Sequence, residues 1–244
     1  MKILDDLISS LNMDTGVKDI RQGLYHTAVL TRNCGLAATL PQDALRQGHA
    51  SVKDCGLLLM KSASELVRMA YSQSILEAAI GMAAINSLMQ IDEGECLNVN
   101  AREIIAEKGR AKRVAVVGHF PFIPKLREIV EELWVIEKNP GEGDLTEDKA
   151  AEFIPQADVV AITGTAFTNH TVEQLLRLCN PGAYVVILGD TSPLSPVLFD
   201  YGVNAISGTK VIDPELALRC VSEGATYRQI KGIQQLTMMK QPNK

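Results

Sequence analysis

From Arg113 onward the chain repeats one unit: a short apolar run, a break at or near a glycine, and a helical pattern. The first copy is Arg113-Val-Ala-Val-Val-Gly-His-Phe-Pro-Phe-Ile-Pro124. The continuous apolar run Val114–Val117, closed by Gly118, suits a strand buried on both faces. The pattern Lys125–Leu133 then predicts a helix. Later copies place strands at Trp134–Glu137, Asp158–Thr163, Ala183–Leu188 and Asn204–Ser207. Their helices fall at Glu147–Phe153, Thr171–Cys179, near Val197–Asp200 and at Pro214–Glu223. Strands alternating with helices imply a parallel sheet with right-handed crossovers. The expected fold class is therefore α/β, with a C-terminal Rossmann-like parallel sheet over residues 110–244.

Residues 1–109 read differently. Apolar positions Ile3, Leu4, Leu7, Ile8 and Leu11 form one helical face. Val17–Thr31 predicts one or two strands, Arg32–Gly35 a tight turn and Cys34–Thr39 a returning strand, so the segment reads as a hairpin. Pro41–Asp54, with His49, reads as a polar surface loop. Short and long helices follow at Ser64–Ala70, capped by Ser62 or Ser64, and at Ser74–Met89; another spans Ala101–Gly109. Gly81 inside the longer one costs about 1 kcal/mol against alanine, which implies a packing reason. Ser74, Glu77, Gly81 and Ala84 share a face. This small-residue face is the basis for expecting a homodimer contact. The first unit is thus a smaller α+β domain.

The net charge of −5 gives no basic footprint for nucleic acid, and no apolar run reaches the ~20 residues of a membrane helix. The N-terminus carries no signal-peptide pattern, so a cytoplasmic protein is expected. The five cysteines are scattered and form no Cys-x-x-Cys, which argues against a disulfide framework or a structural zinc cluster.

Ligands of open parallel sheets bind outside the carboxyl ends of the strands. Five loops belong there, starting at Gly118, Lys138, Gly164, Gly189 and Gly208. Glycine lets a backbone approach a ligand, and Thr165, Thr168, Asn169, Ser192, Ser195 and Thr209 add polar groups beside it. Such loops suit a polar or anionic small molecule. Glu137 lies nineteen positions after Gly118, the place of the ribose reader in dinucleotide folds. Gly-His-Phe-Pro-Phe-Ile-Pro lacks the G-x-G-x-x-G glycines, however, which argues against an NAD-type dehydrogenase. His119, at the end of the central strand, is the candidate for proton transfer or metal ligation. Phe120 and Phe122 suit either a lid over a planar ligand or loop packing. His26 and His49 have no spaced partner, and His170 precedes a helix. Asp190 and Ser192 hint at a base and a nucleophile, but no histidine accompanies them in sequence. Cys34 is a soft-metal ligand only if its turn faces the cleft.

Gly118-His-Phe-Pro-Phe, Glu137 with Pro140-Gly-Glu-Gly-Asp144, Thr163-Gly-Thr-Ala-Phe-Thr-Asn169, Leu188-Gly-Asp-Thr-Ser-Pro-Leu-Ser-Pro196 and Phe199-Asp-Tyr-Gly-Val203 together resemble the family called "putative heavy-metal chelation", found in bacteria and archaea. Ile80-Gly-Met-Ala-Ala-Ile-Asn86 resembles its N-terminal motif. The resemblance implies an enolase N-terminal-like domain, a Rossmann-like domain and a cleft between them. It also implies a role with a transition metal, or with a cofactor that binds one. Asp190 stands where the resemblance leads us to expect a neutral residue; the extra acid would favour a cation over a phosphate.

Two readings follow. In the first, a metal or metal–chelator complex sits between the domains, with His119, Asp144, Asp190 and Cys34 as candidate ligands. Gly118, Phe120, Glu137, Gly164, Thr165, Thr168, Asn169, Gly189, Ser192, Ser195 and Thr209 would surround its organic part. In the second, the chain is an enzyme on a nucleotide-like or other anionic molecule, or a non-catalytic metabolite sensor. Glu137, Glu142, Asp144 and Asp190 argue for a cation, and Lys125, Lys138 and Lys210 for an anion.

Overall fold

The computed structural model describes residues 1–48 and 50–241; His49 lies outside the described residues. The chain begins with helix α1 (Lys2–Ser9), then strands β1 (Asp19–Gln22), β2 (His26–Leu30) and β3 (Cys34–Ala38). These three form an antiparallel sheet in the order β1-β2-β3. Helices α2 (Pro41–Gln47), α3 (Ala63–Arg68) and α4 (Ile75–Leu88) follow. The segment from Pro41, expected as loop, opens with helix α2, because proline at the first turn needs no backbone partner there. Ser62 and Glu65 close a capping box that starts α3.

The rest builds one larger sheet. Its elements are β4 (Cys96–Leu97), α5 (Ala101–Lys108), β5 (Arg113–Val117), α6 (Ile123–Arg127), β6 (Glu132–Glu137), β7 (Leu145–Thr146) and α7 (Ala150–Phe153). Then come β8 (Val159–Thr163), α8 (Thr165–Thr168), α9 (Val172–Leu178), β9 (Tyr184–Leu188), β10 (Ala205–Val211), α10 (Pro214–Ser222) and β11 (Ile233–Met239). The strand order is β4-β11-β10-β9-β8-β5-β6-β7. From β10 to β7 all neighbours run parallel, in the strand order of doubly wound dinucleotide folds. The chain order reverses between β5 and β8, which puts the topological switch point between the Gly118 and Gly164 loops.

Three expectations are corrected. The helix expected to run to Leu133 ends at Arg127, and Leu133 pairs with Val114 inside β6. Gly208–Lys210, expected as a loop, continues β10, because β11 pairs with that strand along its whole length. Gly208 is needed there for packing: a Cβ would fall 2.7 Å from Leu194 Cγ and 2.9 Å from the Ser192 carbonyl oxygen. The sheet is also mixed, since β11 and β4 pair antiparallel.

Helix α4 is apolar all round and almost wholly buried, as a central core helix must be. Its small-residue face is therefore used inside the chain, where Gly81 meets the backbone of Ala70. Residues Ile3, Leu66 and Ile85 share one hydrophobic cluster with Ile162, Ile187 and Met238. No helix among the described residues is long and apolar enough to cross a membrane.

Candidate functional site

The N-terminal segment packs on the carboxyl edge of the large sheet. Ala38 N–H donates to Thr191 Oγ1 at 2.8 Å, and His170 Nε2–H donates to the Ala70 carbonyl at 2.8 Å. A further tie joins the two sheets: His26 Nδ1–H on β2 donates to Asp190 Oδ2 after β9 at 2.6 Å. These side chains are only 7% and 10% exposed.

Beside this seam lies a cavity of about 500 Å³, a size suited to a small molecule. Arg32, Asn33 and Cys34 of the β2–β3 turn line one side, Asn86 on α4 another, and Thr209 and Lys210 at the end of β10 a third. The cavity thus carries two cationic side chains, the Asp92 carboxylate, one thiol, the amides of Asn33, Asn86 and Gln90, and the Thr209 hydroxyl. Lys210 pairs with Glu93. Arg32 Nη1 is buried and has no hydrogen-bond partner among the described residues, and neither has Asn86 Oδ1. Thr209 Oγ1 lies 2.8 Å from the Tyr227 hydroxyl, and the Tyr227 ring tilts against His26 at 6.1 Å. Burial pushes the Tyr227 phenol up, against the opposing hydrogen bonds with Thr209 and Gln235, and the Asp190 charge adds a smaller push upward. Burial also pushes the Cys34 thiol up to about 12, with Asp19 adding to the effect.

The thiols can be ranked by this chemistry. Cys55 is exposed and Cys34 buried, and burial holds Cys179 up at about 11. Thiolate is the alkylating species, so a Cys34 thiol raised from 9.0 to about 12 should react roughly a thousandfold more slowly than an unperturbed one. Timed iodoacetamide labelling at pH 8 with peptide mass spectrometry should show Cys55 modified first and Cys34 among the last. Early modification of Cys34 would show its turn to be open.

The loops nearer the switch point hold the other expected residues. Gly118 has φ +104°, and a Cβ there would lie 3.1 Å from Thr163 Cβ. His119 Nδ1–H donates to Asp144 Oδ2 at 3.0 Å; His119 is half exposed and Asp144 buried. Asp144 also accepts from Gly141 N–H at 3.0 Å. Phe120 stacks on Phe122 at 5.3 Å, and both pack against the core. Glu137 Oε1 accepts from the N–H groups of Lys138 and Asn139, so this carboxylate shapes its own loop. Thr165 bonds Thr163 at 3.0 Å, and Asn169 Oδ1 accepts from Thr171. A Cβ on Gly164 would fall 2.5 Å from Ser192 Oγ, and Gly189 has φ +116°. Thr168, Ser192 and Ser195 are buried.

The structure therefore gathers the expected residues into separate groups. Cys34 and Thr209 meet at the cavity, His119 pairs with Asp144, and Asp190 pairs with His26. Arg32, Asn86 and Tyr227 were not singled out from sequence. Only Asn86 lay within a quoted motif, and no spacing links these residues to their partners.

Two family models, both described as "Putative heavy-metal chelation", match residues 4–89 and 100–240. The chain belongs to this family. A heavy-metal chelation family member of known structure, a protein of unknown function from Desulfitobacterium hafniense, is 27% identical. Its TM-score is 0.87, over 98% of both chains. Another, from Pyrococcus horikoshii, shares the fold with a TM-score of 0.84 at 24% identity, over 98% of this chain and 100% of that one. An uncharacterized protein of Methanocaldococcus jannaschii is 28% identical over 93% of this chain and 91% of its own. The family description suggests metal chelation. Among the described residues, however, no three His, Cys, Asp or Glu side chains converge into a group that could hold a metal ion. His119, Asp144, Asp190 and Cys34, expected as one ligand set, do not come together.

Proposed function

We propose that the protein binds its metal as cargo already held by a small anionic chelator, in the cavity between the N-terminal segment and the end of β10. The observation that carries this reading is Arg32. Arg32 lines that cavity and its Nη1 is buried without a partner among the described residues, and a guanidinium calls for a carboxylate. The family description supplies the metal. The absence of a three-ligand group among the described residues argues that the organic partner supplies most of the coordination. Cys34 can add one soft ligand from the cavity wall. Its high pKa means that ligation must release the thiol proton. Arg32 would take a carboxylate of the chelator, while Lys210 is already paired with Glu93. The nucleotide-like alternative gains less support, because Glu137 is committed to its own loop.

Native mass spectrometry with elemental analysis, on protein purified without added chelators, tests this. The expected result is a metal and an organic mass that leave together. Titration with preformed Ni(II)–iminodiacetate should show Arg32→Ala weakening binding roughly tenfold to a hundredfold, the effect of losing a charged hydrogen bond. A metal bound without organic mass and indifferent to Arg32→Ala would overturn the reading.

A further inference from the structure

The two histidine–carboxylate pairs of the chain differ in exposure. In the His26–Asp190 pair the side chains are only 7% and 10% exposed, so no small molecule reaches that ring without the sheets parting. At the switch point the Asp144 side chain is 3% exposed, but the His119 side chain it holds is 56% exposed. Asp144 Oδ2 takes the His119 Nδ1–H at 3.0 Å and, independently, the Gly141 N–H at 3.0 Å. The carboxylate is therefore anchored by its own loop as well as by the imidazole. A carboxylate only accepts, so Nδ1 carries the ring proton and Nε2 of the neutral ring is a bare acceptor. Nε2 has no hydrogen-bond partner among the described residues.

The sheet fixes where this ring stands. Strand β5 lies between β6 and β8, with Val117 opposite Ile136 on one side and Ile162 on the other. Gly118 N–H still donates to the Ile136 carbonyl, and its φ of +104° then lets the chain leave the strand where open α/β sheets bind their ligands. An imidazole with one nitrogen held by a buried carboxylate and the other left free is the arrangement of a general base. The carboxylate fixes ring and tautomer and stabilises the imidazolium that forms. One nitrogen that takes a proton and returns it meets the needs of ester hydrolysis. We propose that His119 is the catalytic base of a second site, one that hydrolyses a small ester, with Asp144 as its positioning residue. Nε2 takes a proton from water as the water oxygen bonds to the carbonyl carbon. The tetrahedral intermediate then breaks its bond to the alkoxide, which leaves with the proton from Nε2, giving acid and alcohol. Strands β8 and β9 separate β5 from β10, so this site stands roughly 14 Å along the sheet from the cavity and does not depend on chelate binding there.

The test is hydrolysis of p-nitrophenyl acetate by the full chain, with free imidazole at equal concentration as reference. The protein is expected to be faster than the reference and slower in D2O than in H2O, because a proton moves in the transition state. His119→Ala should lower kcat/KM roughly a hundredfold, and Asp144→Ala at least about tenfold. Nitrogen NMR of 15N-histidine-labelled protein at pH 8.5, well above the ordinary histidine pKa, reads the positioning role. His119 is expected as the Nδ1–H tautomer in the wild type, and Asp144→Ala should release it to the Nε2–H form. Circular dichroism checks that each variant folds. Should Asp144→Ala fail to fold, the wild-type tautomer and His119→Ala decide. Hydrolysis no faster than free imidazole, or unchanged in His119→Ala, overturns the proposal, as does an Nε2–H His119 in the wild type. A burst of p-nitrophenolate with no slowing in D2O would show a nucleophilic histidine and overturn the base role. Each of these outcomes leaves chelate binding in the cavity standing.

Discussion

Replacing Gly81 by valine is expected to leave the protein roughly 3 kcal/mol or more less stable, or unfolded. A Cβ at this position would lie 2.0 Å from the Ala70 nitrogen and 2.5 Å from its Cα. Both are backbone atoms of the turn that follows α3, so no rotamer change can relieve the contact. Gly81→Ala is the sharper test. In a free helix it stabilises by about 1 kcal/mol; here its sign should reverse. Urea unfolding of both variants measures this, with Gly16→Ala as control, since nothing lies within 4 Å of a Cβ there. A neutral or stabilising Gly81→Ala would mean that α4 and the Met69–Tyr71 turn are not in backbone contact.

Gly81 also shows what could be read from the chain. A glycine amid Ala78, Ala79, Ala83 and Ala84 marks a helix approached closely by other backbone, because propensity alone disfavours it. The parallel sheet was legible for a similar reason: strands such as Val159–Thr163 are buried on both faces and read as unbroken apolar runs. Strand β11 was not, since Ile233-Gln-Gln-Leu-Thr-Met-Met opens with polar residues on its less buried half and shows no unbroken apolar run. Missing it turned the end of β10 into a loop, although Thr209 lines the cavity from the strand. The candidate site was legible only in part. Loop glycines and hydroxyls are local signals. By contrast, the contacts of His26, Arg32 and Asn86 depend on how the small antiparallel sheet and α4 dock onto the large sheet. Residues 164 positions apart, as His26 and Asp190 are, leave no spacing to read.

Asp190→Ala should cost about 1.5–3 kcal/mol, the usual range for losing a hydrogen bond to a charged group and leaving its buried donor unpaired. The 2.6 Å bond between His26 and Asp190 joins β2 to the loop after β9, and both side chains are almost fully shielded. Without the carboxylate, His26 Nδ1–H is left buried with no acceptor. Asp190→Asn should cost less, because its amide oxygen can still accept from Nδ1–H. His26→Leu combined with Asp190→Leu should recover much of the loss, since neither polar group then remains to be desolvated. A double-mutant cycle by chemical denaturation reads the coupling directly, and additive losses from the two single changes would show that the pair does not hold the sheets together.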